Sequence, residues 1–251
     1  MIVRLCVISA GMSVLGAPAQ ARDDTVVRQS LPHTATTSPS AKTAPANRAP
    51  SPKGWYEAGM AAIQAKNPAR ALAMMTPLLA DFEKRYAGEK RHIFCAVNSS
   101  QQKAYLSDAA AARLDAVTIE PDWCRAQYIR GYALIDLGKT DDALAAFRRL
   151  TELAPKNSRY LNELGYVLAD EKKYDEAVKA YQRSLAVTDL SPDDTDRERC
   201  VAYRGIGYNM AKLGKLDDAE AAYRNCLAIG IDSDEVQDAL DDLDEQRKQT
   251  V

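Results

Sequence analysis

Small, aromatic and charged positions recur along the second half of the chain on a fixed step. The pair Gly131-Tyr132 returns 34 residues later as Gly165-Tyr166, with Ala143 mapping to Ala177, Phe147 to Tyr181 and Pro121 to Pro155. A third copy, Gly207-Tyr208 with Ala219 and Tyr223, follows after a step of 42. A polar stretch recurs with them: Leu137-Gly138-Lys139-Thr140-Asp141-Asp142-Ala143 reappears as Leu213-Gly214-Lys215-Leu216-Asp217-Asp218-Ala219. Its glycine suits a helix end needing positive φ, and its acidic pair suits the first turn of the next helix. Beyond the last copy, Val236, Leu240 and Leu243 stand at helical spacing under a charged face, predicting a solvating terminal helix over 233–249. Such a period marks a stack of like two-element units.

The pattern resembles the tetratricopeptide repeat (TPR) family, which places Gly or Ala at repeat position 8, Ala at 20, an aromatic at 24 and Pro at 32. Residues 124–157, 158–191 and 200–233 carry these marks. Residues 52–85 supply Trp55, Gly59 and Ala71, with Pro77 expected to kink or split the second helix. Residues 90–123 keep Ala109, Ala116 and Pro121 in register and read as a degenerate unit. The resemblance implies an all-α, right-handed superhelix (an α-solenoid) of about five helix-turn-helix repeats with a C-terminal capping helix. Ser191 and Pro192 read as the start of a first helix lengthened to about Lys212.

Residues 1–53 differ in kind. A basic start (Met1 to Arg4), an apolar run (Leu5 to Gly16) and Ala19-Gln20-Ala21 before Arg22 form the layout of a secretory signal peptide over 1–21. The apolar run is short for a membrane anchor, the competing reading. Residues 22–53, rich in Ala, Pro, Ser and Thr, predict a disordered linker, a tether or a weak electrostatic hold on an anionic surface. The mature chain is thus expected to be exported, soluble and periplasmic. Six of the 33 Lys and Arg and two of the 35 Asp and Glu lie in 1–53, leaving 27 against 33 in the TPR domain of 54–251. That acidic balance argues against nucleic acid as a partner.

Four cysteines remain after the leader, an even count that suits disulfides in an exported chain. In the repeat register Cys200 starts a first helix and Cys226 lies near the end of the second, and Cys95 and Cys124 start adjacent units. The expectation is therefore Cys200–Cys226 and Cys95–Cys124, each closing a loop that contributes roughly 3 kcal/mol; four buried free thiols are the alternative. His92 and Cys95, three apart on an expected helix, are the one candidate nucleophile pair, with no third group to orient them. No metal-ligand spacing appears, and Gly205-Ile206-Gly207 has no preceding strand to make it a phosphate loop. No cofactor and no catalysis are expected.

The resemblance also implies which positions line the concave face. Position 9 carries Met60, Asn98, Tyr132, Tyr166 and Tyr208; position 5 carries Tyr56, Phe94, Tyr128, Asn162 and Arg204; position 2 adds Arg91, Arg125 and Arg159. Tyr and Arg are enriched at binding hot spots. The candidate groove is therefore Arg125, Tyr128, Tyr132, Arg159, Asn162, Tyr166, Arg204 and Tyr208, suited to a peptide bearing carboxylates; the competing reading is that these side chains serve packing and local pairing. The function expected is a non-enzymatic scaffold or adaptor of the bacterial cell envelope, binding a protein or peptide segment in the groove. The alternatives are a structural subunit of an envelope or secretion assembly acting through edges and the acidic cap, and a thiol enzyme using Cys95.

Overall fold

The computed structural model describes residues 54–190, 195–231 and 233–249. The expected signal peptide, the linker up to Lys53 and the start of the lengthened helix at Ser191–Asp194 lie outside them. Within them the chain forms helical hairpins: α1 (Trp55–Gln64) with α2 (Pro68–Tyr86), α4 (Asp122–Asp136) with α5 (Thr140–Leu153), α6 (Ser158–Asp170) with α7 (Tyr174–Val187), and α8 (Thr195–Lys212) with α9 (Leu216–Ala228). Helix α10 (Asp234–Gln249) closes the stack against α9 and α8.

Each hairpin turns at one residue in the left-handed region, always repeat position 15: Lys66 (φ 53°), Gly138 (φ 68°), Lys172 (φ 59°) and Gly214 (φ 74°). The residue after each donates its N–H to the carbonyl five positions back, Asn67 to Ala62, Lys139 to Leu134, Lys173 to Leu168 and Lys215 to Met210, at 2.8–2.9 Å. This closing bond satisfies a carbonyl that the helix end leaves without a partner. The first helices also touch one another, α1 with α4, α6 with α8 and α8 with α10, so they line the tighter, concave radius.

Side-chain size sets the spacing of the stack. A Cβ built on Gly131 would lie 2.6 Å from the Phe147 ring, on Gly165 2.7 Å from Tyr181, and on Gly207 2.6 Å from Tyr223. Position 8 is thus small because the aromatic sixteen residues later in the same hairpin lies across it. Gly205 presses on Tyr181 of the preceding hairpin, so Gly205-Ile206-Gly207 is a packing slot between two rings inside α8. The core runs unbroken from Ala62 to Ala222, and a second cluster joins Cys200, Tyr223, Cys226, Val236 and Leu243 under the cap.

The expected split of the second helix at Pro77 and the expected repeat at 90–123 are corrected. Helix α2 is neither split nor ended at Pro77; it runs 19 residues through it, and its last turn brings Phe82 and Tyr86 onto Trp123 with ring centroids 6.1 and 5.4 Å apart. Buried stacking at the helix end outweighs the hydrogen bond that the proline removes. Residues 90–123 are not a degenerate helical repeat. They form β1 (His92–Cys95), α3 (Ser99–Ala111) and β2 (Ala116–Ile119), with the strands paired in parallel, His92 opposite Ala116 and Cys95 opposite Ile119. Among the described residues the array therefore holds four hairpins and a cap, with a β-α-β unit inserted between α2 and α4, which pack directly on each other.

Candidate partner-binding face

The expected groove residues fall into two groups. Arg125, Tyr128 and Tyr132 on α4, Arg159, Asn162 and Tyr166 on α6, and Arg204 and Tyr208 on α8 stand on successive inner helices. Arg91, Phe94 and Asn98 leave the ladder because their segment is the insertion. Arg91 is held by Glu89 through two bonds (2.9 and 2.6 Å), Phe94 stacks on Tyr105, and Asn98 caps α3 by accepting from Gln101 N–H at 2.8 Å.

Within the first group, much polar capacity is used between helices. Tyr128 is buried, with ring centroids 4.9 Å from Tyr132 and 5.4 Å from Tyr160. The Tyr132 hydroxyl donates to Glu163 of α6. Asn162 is buried and donates to Glu198 of α8 at Oε2 (2.8 Å) and at the backbone carbonyl (3.1 Å). Arg159 Nε lies 3.3 Å from the same carboxylate, and Arg204 pairs with Glu235 of α10. Arg125 lies 3.6 Å from Asp122 and over the Tyr56 ring of α1, 5.2 Å from its centroid. Each of α4, α6 and α8 thus hands a donor to an acceptor on the next inner helix. Glu163, Glu198 and Glu235 escape the sequence reading as partners of these residues; the signal is present at Glu163, a carboxylate at repeat position 6 where Ile129 and Gly205 stand in the flanking units.

Tyr132, Tyr166 and Tyr208 remain half-buried, each packed by its base against the core. Lys212 Nζ lies 5.3 Å from the centre of the Tyr208 ring. Burial first, with Tyr174 and Asp170 adding repulsion, raises the Tyr208 hydroxyl above its ordinary range, so it stays a donor through neutral pH. The face therefore presents rigid aromatic area with polar tips rather than unpaired guanidinium forks.

The cysteines pair as Cys95–Cys124 (Cα–Cα 6.2 Å) and Cys200–Cys226 (4.4 Å) in the structure. The candidate nucleophile pair dissolves: His92 and Cys95 lie on a strand, where an odd separation puts them on opposite faces, and the Cys95 sulfur is bonded to Cys124. Among the described residues there is no group of three or more His, Cys, Asp or Glu placed to hold a metal, and no helix is long and apolar enough to cross a membrane.

These hairpins, their shared turn and their stacked inner helices define a helical-repeat solenoid. Residues 128–195 match the tetratricopeptide-repeat family, and the fold of the whole array recurs in solved repeat proteins. A Podosopora anserina structure, described as a kinesin light chain with nearly identical TPR-like repeats, superposes with a TM-score of 0.54 at 12% identity, over 78% of this chain and 87% of that one. A second, described as MamA RS-1 ArsTM double mutant, gives 0.51 at 14% identity, over 78% and 84%. At such identities the likeness is one of fold. In sequence, 67 residues (26% of this chain) are 37% identical to Serine/threonine-protein phosphatase T of Trypanosoma brucei brucei (strain 927/4 GUTat10.1), spanning 14% of that protein.

Proposed function

We propose that this chain is a non-enzymatic adaptor of the bacterial cell envelope, exported to the periplasm, that holds a segment of a partner protein against its inner helices. The observation that carries the reading is the recurrence of Tyr132, Tyr166 and Tyr208 at one repeat position on α4, α6 and α8, each half-buried and packed against the core. Such side chains contribute large contact area at low entropic cost. The internal pairing of Arg159 and Arg204 refines the partner: tyrosine rings, more than arginine forks, make the contact. The paired cysteines suit an oxidising compartment.

The test is crosslinking in the native envelope with partner identification, comparing the natural chain with a Tyr166→Ala/Tyr208→Ala variant. Capture should fall roughly tenfold or more while the melting transition is retained. Undiminished capture refutes the groove reading. If deleting 233–249 removes the partner while the tyrosine variant keeps it, the chain is instead an assembly subunit acting through its cap.

A further inference from the structure

We infer that the inserted β1–α3–β2 unit is a clasp that sets the curvature of the repeat array, a role independent of what the inner face binds. Asn98, Gln101, Tyr105 and Asp108 fall at steps of three, four and three, one stripe of α3 and its N-cap. All four reach the hairpins. Gln101 Nε2 donates to the Lys156 carbonyl at 3.1 Å, the Lys156 N–H donates to the Tyr105 hydroxyl at 3.3 Å, and Lys156 Nζ lies 2.8 Å from Asp108. Asn98 Nδ2 donates to the Leu190 carbonyl at 3.2 Å.

Lys156 lies in the turn between α5 and α6, and Leu190 ends the 3-10 turn (Thr188–Leu190) after α7. The other arm of the unit is held at the start of α4 by Cys95–Cys124. One small unit therefore grips the same edge of the stack at three points, spanning the second and third hairpins. Two of its side chains at the grip are fully buried, Gln101 at 0% and Tyr105 at 1% exposure, while Asp108 pairs with Lys156 at the surface. They also satisfy backbone groups of Lys156 that the hairpins themselves leave without partners.

The unit is not needed to join the hairpins on either side of it. Helix α2 packs directly on α4, and Trp123 stacks with Phe82 and Tyr86 there. What it adds is a cross-tie. In a solenoid each unit contacts only its neighbours, so the overall curve is the sum of small rotations at successive interfaces. A tie fixed at both ends across two hairpins removes that freedom, which the neighbour contacts alone leave in place.

The experiment measures shape in the full chain. Labels placed by unnatural amino acids at the exposed positions Glu57 and Asp238 leave the native cysteines paired, and the distance distribution between them reads the curve. In Gln101→Ala/Tyr105→Phe/Asp108→Ala, amide exchange in α3 should accelerate roughly tenfold or more and the distribution should widen about twofold, with total helicity retained. An unchanged distribution with α3 released overturns the proposal, and so does unchanged exchange in α3, because these anchors would then not hold it. A second variant replaces 88–120 by a short Gly/Ser linker between α2 and α4. A fold kept with an undiminished curve refutes the clasp, and a wider distribution supports it.

Discussion

Glu198, near the N-terminus of α8, receives the buried Asn162 amide of α6 at 2.8 Å and lies 3.3 Å from Arg159, so one carboxylate joins two inner helices. Tyr132 and Glu163 do the same between α4 and α6, and Arg204 and Glu235 between α8 and α10. The tying residues are groove positions by register. Some of the polar groups that sequence position assigned to a partner are therefore used to hold the stack in rotation, while the rings of Tyr132, Tyr166 and Tyr208 stay partly in reach of solvent.

The burial of these ties ranks their worth. Glu198 has a side chain only 9% exposed, so Glu198→Ala leaves the Asn162 amide short of an acceptor and should cost about 1–3 kcal/mol in chemical denaturation. Glu235 is 33% exposed, and Glu235→Ala should change stability by about 1 kcal/mol or less. Equal effects of the two substitutions would remove the case that burial decides.

The hairpins were legible because their marks are sizes and turns. Gly131 with Phe147 and Gly138 at the turn are local requirements that recur wherever the unit recurs. The insertion was not legible by that rule. Ala109, Ala116 and Pro121 fall on the 34-residue register by coincidence, and α3 docks through a polar stripe that leaves no apolar period to read. What could have revealed it are the runs His92-Ile93-Phe94-Cys95 and Ala116-Val117-Thr118-Ile119, short and rich in β-branched and aromatic residues on either side of a helix. For the groove, register indicated which helices carry Asn162 and Arg159, but not that the extra first turn of α8, from Thr195, brings Glu198 to them.

The glycines should differ sharply under substitution. Gly205→Ala drives a methyl into the Tyr181 ring, which is gripped on both sides and cannot retreat, so overpacking of about 1–3 kcal/mol should exceed the roughly 1 kcal/mol gained in helix propensity. At Gly59 the nearest atoms are the Ile129 Cδ1 tip at 2.8 Å and the Met75 Cε tip at 3.1 Å, both ends of flexible chains. Gly59→Ala should therefore be neutral or slightly stabilising, and thermal melting of the two variants distinguishes them.

Lys172 occupies the left-handed turn position that Gly138 and Gly214 fill elsewhere, at φ 59°. A side chain there costs about 1 kcal/mol that glycine avoids. Lys172→Gly should raise stability by about 0.5–1 kcal/mol, whereas Gly138→Lys should lower it by a similar amount. A loss of stability in Lys172→Gly would mean that the lysine stem contributes packing that outweighs its strain.

Alkaline pH tests the buried tyrosines. Burial pushes the Tyr223 hydroxyl from 10.0 up to about 12 and raises that of Tyr105 as well. Because the folded values lie above the unfolded ones, the native state holds its protons longer than the unfolded chain. The stability this contributes is fully present below about pH 10 and is lost as pH rises through the folded values. Tyrosinate absorbance should consequently show a late stage near pH 12 that coincides with loss of helicity. Tyr223→Phe cannot ionise, so its stability should decline less between pH 10 and pH 12 than that of the natural chain. Ionisation of all tyrosines in one stage near pH 10, with the helices intact, would show that water reaches the Tyr223 ring and that Gly207 does not press it into the stack.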